Sequence, residues 1–168
     1  MRRLCLIAFT ILVAGCTVGP PPADNDEFFD VFRSNPLGQT KAFTTERSLS
    51  SVSHALERNG PRCLNTSVRT RGMAGFGGVA ALEENVSTYQ AEIVRRDGGV
   101  TLNVYSDIST TVANRADGFI RTIMVDARAV SSGTEVRIVG PRLNFDDVLA
   151  ATEEWARGQS SRCPELTL

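Results

Sequence analysis

Chemistry needs side chains that ionise, attack or ligate, and this chain of 168 residues offers few of them in useful patterns. His54 is its one histidine. A zinc site of the His-Glu-x-x-His type needs two, and a serine or cysteine nucleophile needs a base beside it. On a helix carrying Leu49, Val52 and Leu56, His54 lies about 170° from their mean direction, which predicts an imidazole facing solvent. Acids stand in adjacent pairs at Glu83-Glu84, Asp146-Asp147 and Glu153-Glu154. Neighbours in sequence need not converge on one bond, as a glycosidase pair must. Asp146-Asp147 instead suits a helix first turn, where carboxylates complement the dipole. The glycine-rich run at 72–78 lacks both the Gly-Lys-Ser/Thr ending of a P-loop and the Gly-x-Gly-x-x-Gly spacing of a dinucleotide fold. No Gly-x-Ser-x-Gly elbow occurs. The expectation is a protein with no catalytic residues, no metal site and no cofactor.

The N-terminus carries a clearer signal. Arg2 and Arg3 precede an apolar run, residues 4–14, that leads through Leu12-Val13-Ala14-Gly15 to Cys16. As a helix that run rises about 16 Å, roughly half the hydrocarbon thickness of a bilayer, so it suits a cleaved signal rather than a permanent span. Leu12-Val13-Ala14-Gly15-Cys16 resembles a bacterial lipobox, the sequence read by lipoprotein signal peptidase. The resemblance implies cleavage before Cys16, a diacylglyceryl thioether on its sulfur and an acyl group on its new amine. Several acyl chains anchor stably where one does not. The resemblance therefore implies a lipid-anchored cell-envelope protein with its domain in the periplasm. Thr17 stands where an Asp would favour inner-membrane retention, and so favours the outer membrane.

Under that reading Cys5 leaves with the signal and Cys16 carries lipid, which leaves Cys63 and Cys163. Two leftover thiols in an oxidising periplasm are expected to pair. A redox pair usually has Cys-x-x-Cys spacing, absent here, and a metal site needs at least three protein ligands, with only His54 left to join. A structural disulfide is the expectation. Loss of residues 1–15 removes two of the 18 basic residues and none of the 19 acidic ones, giving a formal charge of −3. That balance offers no basic stripe for nucleic acid and no polybasic membrane patch.

The elements around these residues read as follows. Residues 1–15 form the signal peptide, 16–41 a lipidated N-terminus and flexible tether, and 42–168 one α+β periplasmic domain. Within the tether Phe28, Phe29 and Phe32 share one face of a helical turn that Asp26 can cap, a patch for the protein's own domain or for a partner. A helix is predicted over 44–59, stopped by Asn59-Gly60-Pro61. A strand follows in which Leu64, Thr66, Val68 and Thr70 alternate with polar residues. The 72–78 segment reads as a flexible loop, either a plain connector or a grip on partner or lipid through Met73 and Phe76.

Beyond the loop, Tyr89, Ala91 and Ile93 alternate, Asp97-Gly98-Gly99 turns, and Val100, Leu102 and Val104 return. A second hairpin joins a strand over Phe119–Val130 to Val136 and Ile138 through Ser131-Ser132-Gly133. The last helix is capped by Asn144, with a Leu143–Val148 staple and Gly158 as its stop. Phe145, Val148, Leu149, Thr152, Trp155 and Ala156 form its apolar face. The predicted fold is a two-layer α+β sandwich, an antiparallel sheet of four or five strands with two helices on one face.

The functional expectation is a non-enzymatic accessory or assembly subunit, bound to the membrane through lipid on Cys16 and to an envelope protein partner. Phe28, Phe29, Phe32, Met73 and Phe76 are its partner-contact candidates. The alternative is a small-ligand or cell-wall-binding module using the helix-free face of the sheet. A hydrolase whose carboxylates converge only in the fold ranks third.

Overall fold

Alternating and continuous apolar runs in the second half of the chain assemble one antiparallel sheet, flanked by a helix on one side and two on the other. The computed structural model describes residues 24–76, 79–107, 118–143, 145–160 and 162–166, with 70–76 and 79–85 given by their backbone alone. The lipobox-like run, Cys5 and Cys16 lie outside the described residues. The elements are α1 (Asn25–Ser34), β1 (Gly38–Thr45), α2 (Leu49–Leu64), β2 (Thr66–Phe76), β3 (Val79–Arg96), β4 (Gly99–Asp107), β5 (Phe119–Val130), β6 (Gly133–Pro141) and α3 (Asp146–Arg157). Spatially the strands run β1-β6-β5-β4-β3-β2. The α+β class is as predicted. The sheet has six strands rather than four or five, and the helices do not share one face.

Strand alternation explains the two sides. In β5, Ile123, Val125 and Ala127 point into the main core with Leu102, Val104, Val136 and Ile138 from neighbouring strands. There they meet Val52, Leu56 and Leu64 of α2 and Val148, Leu149 and Trp155 of α3. Fully burying such side chains stabilises the fold by about 1.5–3 kcal/mol each. On the opposite face Met124 and its register partner Val139 make a smaller cluster with Phe28 of α1. The run Ile123-Met124-Val125 is therefore continuous because both faces of β5 are covered.

Three segments depart from the sequence reading. The tether expected over 16–41 contains α1 and the first half of β1. Asp24, not Asp26, caps α1, its carboxylate accepting from the Glu27 backbone N–H at 2.7 Å. The second helix begins at Leu49, with Ser48 accepting from Ser51 N. It does not stop at Asn59-Gly60-Pro61 but continues to Leu64. Gly60 is buried for space rather than for a cap, since a Cβ there would come within 2.9 Å of Leu102 Cδ1. Finally, the glycine-rich segment is not a loop as far as Phe76: it forms the end of β2, paired from Gly72↔Glu83 to Phe76↔Val79.

The last helix keeps its predicted apolar face and its left-handed stop at Gly158, with φ 71°. Its predicted start does not hold. Asn144 lies outside the described residues, Phe145 occupies the cap with no side-chain hydrogen bond, and Leu143 is 65% exposed, so it staples nothing. Phe145 packs edge-on against Tyr89 instead, ring centroids 5.9 Å apart. Cys63 and Cys163 are bonded, fastening the end of α2 to the tail beyond α3. Trp155 Nε1 donates to Arg162 O at 3.0 Å and holds the same tail.

Candidate interaction site at the docked first helix

The aromatic patch of α1 faces its own sheet. Phe28 is 3% exposed, against Met124 and Val139, while Phe29 and Phe32 pack half-buried around that cluster. Of the two destinations open to this patch, the protein's own domain is the one observed. Phe28 is thus withdrawn from any partner, and only the outer edges of Phe29 and Phe32 remain accessible. Met73 and Phe76 sit on β2, on the far edge of the sheet from β1, so the five contact candidates do not form one surface.

Beside the aromatic contact lies a polar network that the sequence reading missed. Asp126 of β5 is 4% exposed and accepts from Thr101 Oγ1 at 2.9 Å, which in turn accepts from Asn25 Nδ2 of α1 at 3.0 Å. Arg128 Nε lies 2.8 Å from Asp126 Oδ2, and Arg137 Nη2 lies 3.0 Å from the same oxygen. Arg137 also donates to Asp26 Oδ1 on α1 at 2.7 Å. Arg121 completes the set, donating to Asn25 Oδ1 and to the Asp24 carbonyl while its guanidinium lies 4.2 Å from the Phe28 ring centroid. A buried carboxylate is tolerated here because each of its oxygens is hydrogen-bonded and two cations face it.

Electrostatics follow that geometry. The hydrogen bond from Arg137 holds the Asp26 carboxyl below its ordinary pKa, with the Arg137 and Arg128 charges adding to it. Burial works against the Arg137 charge, but hydrogen bonds to Asp126 and Asp26 outweigh it and its pKa is raised. Burial lowers that of Arg121. A sequence signal for this network exists: Asp126 interrupts an apolar strand, as Arg137 does between Val136 and Ile138, and isolated charges in such strands are normally paired.

Among the described residues, those that could do chemistry do not assemble, and the side chains of Glu83 and Glu84 lie outside them. His54 has a side chain 70% exposed, as predicted, with Nδ1 4.0 Å from Glu57 Oε2. Ser53 donates to Glu57 Oε1 at 2.8 Å, so the serine proton goes to the carboxylate and not to the imidazole. That is the wrong order for a nucleophile and its base. Glu153 lies between Lys41 and Arg157, and the hydrogen bond from Lys41 holds its pKa low. Among the described residues no group of three or more His, Cys, Asp or Glu side chains is placed to hold a metal ion.

No family model matches the chain, and no curated protein matches it. Among solved structures it is similar to protein CV1439 from Chromobacterium violaceum, with a TM-score of 0.36 and 12% identity over 74% of this chain and 94% of that one. It is also similar to protein MLL2253 from Mesorhizobium loti, at a TM-score of 0.33 and 12% identity over 73% and 95% of the respective chains. Likenesses this distant carry no argument about function.

Proposed function

We propose that this chain is a lipid-anchored bacterial envelope lipoprotein, a non-enzymatic accessory subunit that holds another envelope protein at the membrane. The observation that carries the reading is the Cys63–Cys163 disulfide in a chain that opens with a lipobox-like run ending at Cys16. Such bonds persist in oxidising compartments, the periplasm among them.

The docking of α1 gives this reading a geometry. Eight residues, 17–24, separate the acylated cysteine from the first helical residue. Fully extended they reach at most about 29 Å, so the domain stays close to the bilayer surface. The network at Asp126 fastens α1 to the sheet, and any pull through the tether arrives on that network. Tethering raises the effective concentration of a membrane-bound partner, so modest contacts suffice.

The partner surface best supported is the end of the sheet where α1 passes into β1. Leu37 and Leu143 are 60% and 65% exposed, on segments joined by the hydrogen bond from Arg142 N to Leu37 O. Val31 on the outer side of α1 is 45% exposed. Exposed apolar groups clustered together, unlike scattered ones, mark interaction sites. Photo-cross-linkers placed at Leu37 and Leu143 in intact membranes test this. One defined adduct is expected at these positions and none at Glu135. A diffuse smear, equal at all three, contradicts the accessory role.

A further inference from the structure

α2 and α3 lie side by side on the sheet and leave an open groove of ≈ 490 Å³ between them. In a chain with more acidic than basic residues, the groove is lined by Arg47, His54 and Arg58 and, among the described residues, by no acidic side chain. Arg47 is built into it as a brace. Its Nη1 donates to the Trp155 and Ala156 carbonyls at 3.0 and 2.9 Å, and Nη2 donates to Ser51 O. Those bonds quench the negative end of the α3 dipole, which would otherwise repel an anion. Gly158 lets the Arg47 guanidinium pack against the end of α3, because a Cβ there would sit 2.9 Å from the guanidinium carbon.

Two further side chains present unused donors. Asn59 lines the groove at 3% exposure, and its Oδ1 accepts from Arg62 Nη2 at 3.0 Å. A guanidinium can only donate, so the atom facing Arg62 is the oxygen and Nδ2 is turned away from it. That buried amide has no acceptor among the described residues. Arg58, beside it and exposed, makes no ion pair or hydrogen bond among the described residues. His54 stands one helical turn before Arg58 on the same face.

The geometry points to a binding site for a carboxylate-bearing ligand, held by the fork of Arg58 and completed by the Asn59 amide. A planar fork matches two coplanar oxygens. A phosphate is the poorer fit: the groove reaches the first turn of α2 at Ser51, but the Ser51 N–H already donates to Ser48 Oγ and so does not serve an anion there. A peptide terminus and an acidic sugar share this chemistry. The inference rests on the fold alone and holds whether or not Cys16 carries lipid.

Titration of the detergent-solubilised full chain, followed by ¹⁵N NMR at Asn59 Nδ2 and Arg58 Nε, tests it. The probes are N-acetyl-tetra-alanine with a free C-terminal carboxylate, the same peptide as its amide, glucuronic acid, and inorganic phosphate. Saturable shifts at both reporters with the free peptide or with glucuronic acid support the site and identify its source of carboxylate. Arg58→Ala, a change at an exposed side chain, is expected to weaken that binding about tenfold. Shifts equally large with the amide or with phosphate, binding unchanged in Arg58→Ala, or no saturable shift with either carboxylate overturn the proposal.

Discussion

Arg137 of β6 grips two carboxylates with one nitrogen: Nη2 lies 2.7 Å from Asp26 Oδ1 on α1 and 3.0 Å from Asp126 Oδ2 on β5. The first helix is thereby linked to the centre of the sheet through charge as well as through Phe28. Asp126 is the buried member of this group, and its loss leaves Arg128 and Arg137 with only the exposed Asp26 as a shared anion. Asp126→Ala is predicted to cost about 2–3 kcal/mol, less than a fully buried pair because Arg128 is half exposed. Urea unfolding measures it, and an unchanged midpoint contradicts the role given to the network.

Acid should loosen this contact and, separately, the Lys41–Glu153 pair between β1 and α3. Asp26 and Glu153 both have folded pKa values below their ordinary 3.8 and 4.5, held there first by hydrogen bonds from Arg137 and Lys41 respectively. Each therefore contributes stability that is fully present above its unfolded pKa and is lost as pH falls through the depressed folded value. Stability is predicted to be flat in this respect above about pH 5 and to decline below about pH 4. Asp26→Asn should remove part of that slope. If the variant and the parent chain decline alike, Asp26 is not the group that titrates.

Gly38 decides how closely α1 approaches β1. A Cβ on Gly38 would land on the carbonyl oxygen of Phe32, and the backbone there cannot give way without moving the end of α1. Gly38→Ala is predicted to cost about 1–3 kcal/mol as an overpacked contact. The loss should appear as release of α1 rather than global unfolding, read as faster proteolysis between residues 24 and 38. Protection equal to that of the parent chain rules this out.

The disulfide links residues 100 apart in sequence. In the chain-entropy account a loop of that length contributes up to about 4.7 kcal/mol, with native strain able to reduce it. Replacing Cys63 and Cys163 by serine is predicted to lower stability by about 2–4 kcal/mol. The same change should free the tail that Trp155 Nε1 holds at Arg162 O, visible as a shift in tryptophan fluorescence. A double-serine variant as stable as the parent contradicts a structural role for the bond.

Much of the β architecture was legible because turns need particular backbone angles. Gly98 and Gly133, in the two hairpin turns read from the sequence, have φ of 74° and 130°. Gly158 closes α3 in the same left-handed region. β1 was not legible, since Gly38–Thr45 carries one large apolar side chain, Phe43, and runs at the sheet edge beside β6 alone. Asn59-Gly60-Pro61 misled for a tertiary reason: Gly60 is small to admit Leu102, which no local pattern reveals. The docking of Phe28 was half visible. Its helical spacing with Phe29 and Phe32 was clear, but its target depends on Met124 and Val139 facing away from the main core. The groove donors Arg58 and Asn59 left no sequence signal, because their meaning comes from α3 lying alongside.

The measurement that tests the anchored-domain reading most directly is the intact mass of the detergent-extracted protein, before and after reduction and alkylation. A chain beginning at Cys16, carrying acyl mass and releasing two alkylatable thiols only on reduction, is the predicted result. A chain that retains residues 1–15 without acyl mass, or one whose Cys63 and Cys163 alkylate without reduction, contradicts it.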